Sequence, residues 1–412
     1  MIGGRTVSRG GLCLPGPKVF EKPLGMRDFL PEMAERKRVL EQRIQRVLEQ
    51  WGYREIITPT LEYYDTVGAA SATMTDKMFK LLDREGHTLV LRPDMTAPIA
   101  RIAASLEEEL FPLRFFYHAS VYRAQEQEAG RNAEFFQTGV ELLGEASPEA
   151  DAEVVALALR CLEEAGVRRF KLALGHVGLL DSLLAENVVD EQLRTELKND
   201  LLHRDHVTFR RRLEEASLQE AERQRLLALL HVYHGEQGAR QLSDLVSGER
   251  SAAAVANLQA IWSLLDAYGV RDEVLLDLTL IGFLNYYTGV VFEGFAEGYG
   301  FHVLSGGRYD HLLQRFGSHQ PATGFALKLD RLMEISDYEG PQPERVVVAY
   351  RPENIRAAIA RTRQLRQDQP GWAVELIALP HDWWPEQKAA FEARQRRRGV
   401  QRVLYVEEED GA

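Results

Sequence analysis

A long amphipathic helix is the first element that the pattern of apolar and polar positions predicts. Between Phe20 and Trp51, charged residues alternate with apolar ones at helical spacing. Side chains three or four positions apart share one face of a helix, so this spacing builds a single apolar stripe. Gly52 ends the pattern, and the run from Tyr53 to Thr58 predicts a strand that stops at Pro59. The stripe comprises Val39, Leu40, Ile44, Val47, Leu48 and Trp51.

Short strands follow this helix. Apolar runs that are bounded by turn residues predict strands, and such close neighbours in sequence pair in antiparallel fashion. We therefore expect an antiparallel sheet in this part of the chain. The runs are Met78 to Asp83, His87 to Arg92, Arg114 to Arg123 and Glu134 to Leu143.

A helix and a strand come next, and then the pattern changes. Pro148 to Glu164 predicts a helix that has Ser147 as its cap and proline at its first position. Phe170 to Gly175 predicts a further strand. From 179 to 278 the chain is helical in pattern and strongly charged, with few runs of strand type, so we predict a helical insertion whose charges face solvent.

Strand patterns return after the insertion and continue the earlier sheet. Thr288 to Phe295, His302 to Leu304 and Ala322 to Leu329 predict strands, and a helix begins at Asp330. The sheet is thus interrupted in sequence but not in space. Pro and Gly cluster at Gly340 to Pro343, which predicts a linker.

The tail predicts a small α/β domain. Strand patterns at 346–350, 374–379 and 403–406 alternate with helices that begin at Glu353 and Pro385. The domain organisation that we predict is a disordered leader at 1–19, a main domain formed by 20–178 and 279–339, the helical insertion at 179–278 and the α/β domain at 344–412.

Composition places the chain among ordinary globular proteins. It has 412 residues, of which 45% are hydrophobic and 27% charged. No run approaches the roughly 18 apolar residues of a membrane span, and Arg5 and Arg9 precede no apolar segment of a secretory signal. Cys13 and Cys161 cannot form a disulfide framework, and no Cys or His cluster predicts a metal site. We therefore expect a cytoplasmic protein without metal or cofactor.

The charge balance bears on nucleic-acid binding. A net charge of -12 argues against a surface built wholly to hold nucleic acid. A local basic stripe on an acidic protein still leaves tRNA open, and charge alone does not decide the matter.

Four motifs, taken in order, carry the most chemical information. Taken alone, Ser305 to Asp310, SGGRYD, would be interpreted as a turn that contains two glycines. It follows Leu280 to Gly289, LIGFLNYYTG, and two upstream segments, LRPDMT at 91–96 and the stretch from Tyr122 to Gln137. These motifs resemble those of histidyl-tRNA synthetases in the same order, and the resemblance covers roughly residues 20 to 335. It implies an α+β fold of class II synthetase type, with an antiparallel sheet flanked by helices and a dimer formed through the region of Gly52 to Pro59.

The resemblance also implies a histidine pocket. A pocket that hydrogen-bonds both imidazole nitrogens rejects ligands that lack them by about 10⁴-fold or more, because its own polar groups would stay unpaired. Each residue alone has a plainer interpretation, as strand alternation or aromatic packing, but together they favour a ligand site. By position, Asp94 and Thr96 would bind the α-amino group, Gln137 the amino-acid backbone, Arg123 the carboxylate, Glu141 and Tyr287 the imidazole nitrogens, and Tyr286 would line the same wall.

The departures from the synthetase pattern fall on the nucleotide side. Gly282 stands where the synthetases have the arginine that stabilises the transferring phosphorus, and losing one such donor typically costs about 10²- to 10³-fold in rate. Arg123 and Arg331 match phosphate-binding arginines, or else are buried arginines paired with carboxylates. Arg131, Arg308 and Arg331 are the residues that we assign to the remnant nucleotide side. Further departures are Gln125, Ala133, Asn285, Lys328 and Asp330.

This combination of kept and lost residues resembles the regulatory subunits of ATP phosphoribosyltransferase. The resemblance implies a non-catalytic subunit that supports a short catalytic subunit at the first step of L-histidine biosynthesis and confers feedback inhibition by histidine. The implied partners are that catalytic subunit, in a hetero-oligomer, a second copy of this chain, and L-histidine as ligand.

Two other functions stay open at the level of sequence. One is an active but divergent histidine-tRNA ligase, against which Gly282 and Gln125 argue. The other is a synthetase-like module that senses tRNA, against which the small C-terminal domain and the net charge of -12 argue.

Overall fold

A mixed sheet of nine strands is the centre of the larger of two units in the computed structural model, which describes residues 22–70, 76–124, 132–233, 238, 240–281, 286–337 and 343–406. The units divide between Tyr338 and Glu339. The predicted leader at 1–19 lies outside the described residues, as does most of the predicted linker. The strands of the larger unit are β1 (Arg54–Glu55), β2 (Leu61–Tyr63), β3 (Lys80–Leu82), β4 (Thr88–Leu91), β5 (Leu113–Tyr122), β6 (Glu134–Leu143), β7 (Phe170–His176), β8 (Val232–Tyr233), β9 (Val274–Asp277), β10 (Val290–Ala296), β11 (His302–Arg308) and β12 (Ala322–Lys328).

Helices cover the sheet. None of the helices in the described segments has the length and apolar character that crossing a bilayer requires. They are α1 (Pro31–Gln50), α2 (Tyr64–Ala70), α3 (Thr96–Ala103), α4 (Pro148–Glu164), α5 (Val177–Asn187), α6 (Glu191–Leu202), α7 (His206–Glu215), α8 (Glu220–Ala228), α9 (Glu249–Ala267) and α10 (Leu329–Ile335).

The main sheet confirms the predicted fold class. Its strand order is β1-β5-β6-β12-β11-β10-β7-β9-β8, and every pair from β5 to β7 is antiparallel. Parallel pairs occur towards the edges, where β1 joins β5 and β9 joins β7. The strand predicted at Tyr53 to Thr58 is shorter than expected, since only Arg54–Glu55 pairs. A separate sheet of order β2-β4-β3 lies beside α2.

Helix α1 has the predicted buried face but not the predicted start. Leu40, Ile44 and Leu48 are buried on α1 and belong to the main core. The helix begins at Pro31, whereas the pattern indicated Phe20. The chain before it turns at Gly25, whose positive φ of 76° is incompatible with a helix.

Helix α4 runs through the main core with the bounds that the sequence predicts. Its N-cap residue, Ser147, has an extended backbone, but its side chain makes no capping hydrogen bond. Ser147 thus occupies the predicted cap position without a side-chain bond, and proline occupies the first turn as predicted. Cys161 on this helix is buried, and burial raises the pKa of its thiol.

The segment 179–278, predicted as a helical insertion, contributes both to the main core and to the main sheet. Helix α9 packs against α4 and α5, and its apolar side chains share the core of the sheet. Strands β8 and β9 also fall within the segment and extend the main sheet at one edge. Such short apolar runs cannot be told from helix by periodicity alone, which explains why the pattern missed them.

The smaller unit has the strand and helix order expected from the tail. It contains a parallel sheet of order β14-β13-β15 with an apolar cluster on each face. Its elements are β13 (Glu344–Tyr350), α11 (Ile355–Asp368), β14 (Trp372–Ala378), α12 (Lys388–Arg397) and β15 (Arg402–Val406).

A buried ion pair fastens the start of α4 to the end of β11. The Arg308 Nε atom donates to both carboxylate oxygens of Asp151 at 3.0 Å, and both side chains are at most 7% exposed. The other guanidinium nitrogens donate to the carbonyl oxygens of Glu145 and Ser147 and to Asp310. The loop before α4 thus depends on one arginine.

We expect Asp151→Ala to lower the free energy of unfolding by about 3–5 kcal/mol, because the Arg308 charge loses its buried partner and keeps only the partly exposed Asp310 carboxylate. Denaturant unfolding measures this change. The matched control is Asp181→Ala, which removes a surface pair with Lys198 and costs about 1 kcal/mol or less. Equal losses in the two variants would contradict the structural role of Arg308.

Candidate functional site

One pocket collects the residues that the sequence assigned to histidine binding. It lies on the face of β6, β11 and β12, below the loop that leads into α3, and encloses about 430 Å³ of empty space including its mouth. Asp94, Thr96, Arg123, Gln137, Glu141, Tyr286 and Tyr287 all line it.

Glu141 forms the floor of this pocket. Its side chain is 2% exposed, Oε1 accepts a hydrogen bond from the Thr96 hydroxyl at 2.9 Å, and Oε2 accepts one from the Tyr309 hydroxyl. Burial raises the pKa of this carboxyl to about 8, although both hydrogen bonds act in the opposite direction. A buried acid of this kind is ready to bind a group that brings a positive charge or a donor.

Glycines make room for Glu141. Gly324 lies directly across from it on β12, and a Cβ atom there would stand 2.2 Å from Glu141 Oε2. Gly307 of β11 is the register partner of Gly324, and a Cβ atom there would stand 2.8 Å from the Tyr287 ring. Only a sheet without side chains at these positions can hold the carboxyl so close to its backbone.

The loop of Asp94 is held in place by hydrogen bonds on both sides. The Ala97 amide in the first turn of α3 donates to Asp94 Oδ1 at 2.9 Å. Arg92 donates to the carbonyl oxygens of Ser120, on β5, and of Thr58. These bonds hold the start of the Asp94 loop against β5. Asp94 is 4% exposed, so a second carboxylate faces the pocket from above the sheet.

Aromatic rings close one wall. The ring centroids of Tyr286 and Tyr287 lie 5.2 Å apart, and Tyr286 lies 5.6 Å from Tyr309, in edge-to-face arrangements. Tyr117 of β5 also lines the pocket. Burial raises the pKa of each of these phenols, so the hydroxyls stay neutral donors.

Two cations stand at the other end of the pocket. Arg123 Nε donates to the Pro93 carbonyl oxygen at 2.9 Å, and its guanidinium lies 5.1 Å from the Phe135 ring centroid. The Lys328 ammonium lies 5.9 Å from the same centroid. Burial and the nearby guanidinium groups of Arg123 and Arg331 lower the pKa of Lys328 to about 7. The pocket therefore has an acidic end and a basic end.

Comparisons with known proteins identify the family of this chain. The family described as histidyl-tRNA synthetase matches residues 25–332. An ATP phosphoribosyltransferase regulatory subunit from Bacillus licheniformis is 45% identical over 350 residues, which cover 85% of this chain and 90% of that protein. The chain belongs to the ATP phosphoribosyltransferase regulatory subunit family.

Solved structures agree with membership of this family. The crystal structure described as an ATP phosphoribosyltransferase regulatory subunit/histidyl-tRNA synthetase from Bacillus halodurans is 39% identical with a TM-score of 0.85, covering 94% of this chain and 98% of that one. Histidyl-tRNA synthetase from Nostoc sp. PCC 7120 has a TM-score of 0.76 at 23% identity, covering 93% and 90% of the two chains, and shows the shared fold. The resemblance on which the sequence analysis relied is confirmed.

The arginines that the sequence analysis assigned to the nucleotide side occupy different places in the structure. Arg308 does not line the pocket and instead forms the buried pair with Asp151, on the α4 side of the sheet. Arg331 donates to the His302 carbonyl oxygen and lies 5.2 Å from the Phe301 ring centroid. Of the three arginines assigned there, Arg308 is thus a structural residue.

Asp330 is also engaged within the fold. It binds the Arg27 guanidinium, and its Oδ2 atom accepts a hydrogen bond from the Phe136 amide at 2.6 Å. Ala133 is buried, and its amide donates to the Gly25 carbonyl oxygen at 2.8 Å. The remaining positions on this side, Gln125, Arg131, Gly282 and Asn285, lie outside the described residues.

Several residues of the pocket lining were not assigned a role from sequence, and three of them carry hydroxyl groups. Tyr309, Tyr117 and Ser305 line the pocket, and Tyr309 bonds directly to Glu141. Tyr309 and Ser305 belong to the SGGRYD motif, so the motif carried the signal. Tyr117 was visible only as an aromatic residue on a strand.

A cluster with metal-ligand spacing occurs elsewhere in the described residues. Asp83, Glu85 and His87 come together at the turn between β3 and β4, and the last two are exposed. The Glu85 and His87 amides both donate to Asp83 Oδ1, so the carboxylate already orders the turn.

The buried Glu141 carboxyl gives a pH-dependent prediction. Its pKa in the folded state, about 8, lies above its ordinary value, so the folded protein loses stability as pH rises and the group ionises. Glu141→Gln keeps both hydrogen-bonding partners but cannot ionise. We expect this variant to melt at a higher temperature than the parent, by a margin that grows between about pH 6 and pH 8.

Thermal unfolding followed by circular dichroism tests this expectation without ligand. The control, Glu49→Gln, changes an exposed carboxyl on α1 and should leave the pH profile unchanged. A constant difference between Glu141→Gln and the parent over this pH range would count against a neutral Glu141.

Proposed function

We propose that this chain is a non-catalytic regulatory subunit of ATP phosphoribosyltransferase that binds L-histidine in the pocket of Glu141. The transferase activity resides in a short catalytic subunit, with which the chain forms a hetero-oligomer at the first step of L-histidine biosynthesis. Histidine binding to this chain produces feedback inhibition of that partner. The complex is cytoplasmic, and the chain needs no cofactor or metal.

The observation that carries this proposal is the convergence of seven residues on one pocket. Asp94 and Glu141 provide carboxylates for a ligand ammonium or imidazole, and Tyr287 provides a neutral hydroxyl. Gln137 remains for the groups on the α-carbon of an amino acid, and Arg123 adds a cation at the end expected to hold its carboxylate. These are the groups that zwitterionic histidine requires.

The residues of the former nucleotide side support a regulatory role over a ligase role. Adenylate formation needs cations on the phosphates and carboxylates on magnesium. Asp330 is bound to Arg27 and to the Phe136 amide, which leaves little of its carboxylate for a metal ion. Lys328 replaces a glycine of the synthetases, so its side chain occupies space beside the expected nucleotide.

Self-association is part of the proposal. Ile57 is 83% exposed and Leu82 is 74% exposed, and Leu61, Tyr63 and Leu81 nearby are also exposed. These residues belong to β2, β3 and the segment after β1, the region through which the synthetase resemblance implies dimerisation. A second copy of the chain would cover this apolar surface.

Regulation requires that histidine bind two conformations of the complex with different affinity. A coupling free energy of about 1–3 kcal/mol, typical of allosteric proteins, would be enough. Residues on the loop before α3 and on the Tyr286 segment contact the pocket from outside the sheet. A ligand that draws these segments onto the sheet can therefore favour one conformation.

Direct binding provides the first test. Isothermal titration of the purified chain with L-histidine should give saturable heat, and Glu141→Gln should weaken binding by about tenfold or more because a charge-assisted hydrogen bond is lost. The Glu49→Gln variant should bind as the parent does. Absence of saturable heat with the parent chain would refute histidine sensing.

The catalytic partner provides the second test. Co-expression with a short ATP phosphoribosyltransferase should yield a complex whose activity exceeds that of the partner alone and falls with added histidine. In a complex built with Glu141→Gln, the activation should remain and the inhibition curve should move to higher histidine concentration. A partner that is equally active and equally inhibited alone would contradict the proposal.

The ligase alternative retains some support, because a related structure carries both descriptions, regulatory subunit and histidyl-tRNA synthetase. A histidine-dependent ATP–pyrophosphate exchange assay separates the two functions. Robust exchange by the purified chain would favour the ligase.

A further inference from the structure

The Lys328 side chain enters the pocket at a defined place. It is the last residue of β12, and the register of the sheet pairs it directly with Gln137 of β6. Directly opposed residues have side chains about 5 Å apart on the same face of a sheet. Lys328 therefore stands beside the residue expected to bind the backbone of the amino acid, and both line the pocket.

The two ends of the pocket hold groups that can carry charges of opposite sign. Glu141 pairs with Gly324 at one end, and Gln137 pairs with Lys328 at the other, four residues away on each strand. Four residues of strand span about 13 Å. An elongated zwitterion lying along the strands would thus place its imidazole near the acidic floor and its other end near the ammonium.

The positive charge at the Lys328 end is not balanced by the fold. Within the described part of the chain, the ammonium has no ion-pair partner, and its near neighbour is the Phe135 ring. Glu293 is the carboxylate that favours its charged form, but Glu293 Oε2 already accepts from Arg204 at 2.9 Å. Arg123 lies over the same ring and repels Lys328. Asp94 partly offsets the charge of Arg123, whereas Lys328 keeps no such carboxylate to itself, and a buried cation without an ion pair marks an anion-binding position.

Resting on the proposed histidine site, we propose that Lys328 binds the α-carboxylate of the ligand and makes the pocket selective for the amino acid over imidazole compounds that lack a carboxylate. Lys328 thereby determines specificity. It stands where the synthetases have glycine, and it supplies a cation within the pocket itself.

Arg123 is the competing cation, and its geometry is less suitable. Its Nε atom donates to the Pro93 carbonyl oxygen, which directs the guanidinium along the Asp94 loop. Lys328 has three ammonium donors and makes no such bond among the described residues. An ammonium on a flexible stem can turn towards a carboxylate at little cost.

Selectivity between two ligands tests this assignment. L-Histidinol keeps the ammonium and the imidazole of L-histidine but carries a hydroxymethyl group in place of the carboxylate. Calorimetric titration of the full chain should show that the parent prefers L-histidine. In Lys328→Met, the affinity for L-histidine should fall by about 10- to 100-fold while that for L-histidinol changes little, since one charged hydrogen bond is lost.

Matched variants separate this role from a structural one. Lys198→Met, on the surface of α6, should behave as the parent with both ligands. Lys328→Met removes a buried charge that lacks a partner, so it should fold and melt at a temperature at least equal to that of the parent. A general defect in the pocket would weaken both ligands alike and would overturn the assignment.

The outcomes distinguish this proposal from the proposed function. If the parent binds both ligands equally, or if Lys328→Met keeps the parent's preference while Arg123→Met loses it, Lys328 does not hold the carboxylate, but histidine sensing stands. If the parent binds neither ligand, both proposals fail. Inorganic phosphate is the remaining probe: phosphate binding that depends on Lys328, with an unchanged preference for L-histidine, would assign the ammonium to a phosphate and overturn the proposal.

Discussion

The site depends on a part of the sheet that carries no side chains. Gly307 of β11 and Gly324 of β12 pair directly with each other, and Gly324 also stands opposite Glu141. A Cβ atom on Gly307 would lie 2.8 Å from the Tyr287 ring, and one on Gly324 would overlap the Glu141 carboxyl. Because these glycines have no side chains, the Glu141 carboxyl and the Tyr287 ring can pack against the strands, where they are shielded from water. The raised pKa of Glu141, about 8, is a direct consequence of that burial.

The empty pocket is electrostatically unfavourable at both ends. Glu141 is kept from ionising at one end, and the pKa of Lys328 is lowered to about 7 at the other, in each case chiefly by burial. A fold that buries such groups without an opposite charge beside them gives up stability in exchange for affinity towards a complementary ligand. A zwitterion satisfies both ends at once. This large difference between the empty and the occupied states is what a sensor needs, because a ligand shifts a conformational equilibrium only through differential binding.

Local patterns predicted some elements well and missed others that depend on distant contacts. The bounds of β6 and α4 follow from alternation and from Pro148, and the structure has them as predicted. The start of α1 does not follow from local pattern, because the turn at Gly25 is held by the Ala133 amide, more than a hundred residues later in the chain. The sequence pattern did not predict strand β9 either. These four residues form a strand because they pair with β7, and a short apolar run does not show which strand it will pair with.

In the candidate site, too, some residues could be predicted from sequence motifs, and the place of others depends on how the strands pair. The motifs named seven side chains that line one pocket, because residue type and order survive in sequence. Arg308 was assigned to the wrong side although alternation could have corrected it: Gly307 faces the pocket, so the next residue of β11 points to α4 and Asp151. Lys328 needed more than alternation. From sequence, Lys328 was assigned to the nucleotide side, but Lys328 pairs with Gln137 in the sheet. This register places Lys328 next to the position proposed for the amino acid. Binding chemistry in a sheet therefore depends on which positions of two strands pair, and a sequence gives both strands without giving that pairing.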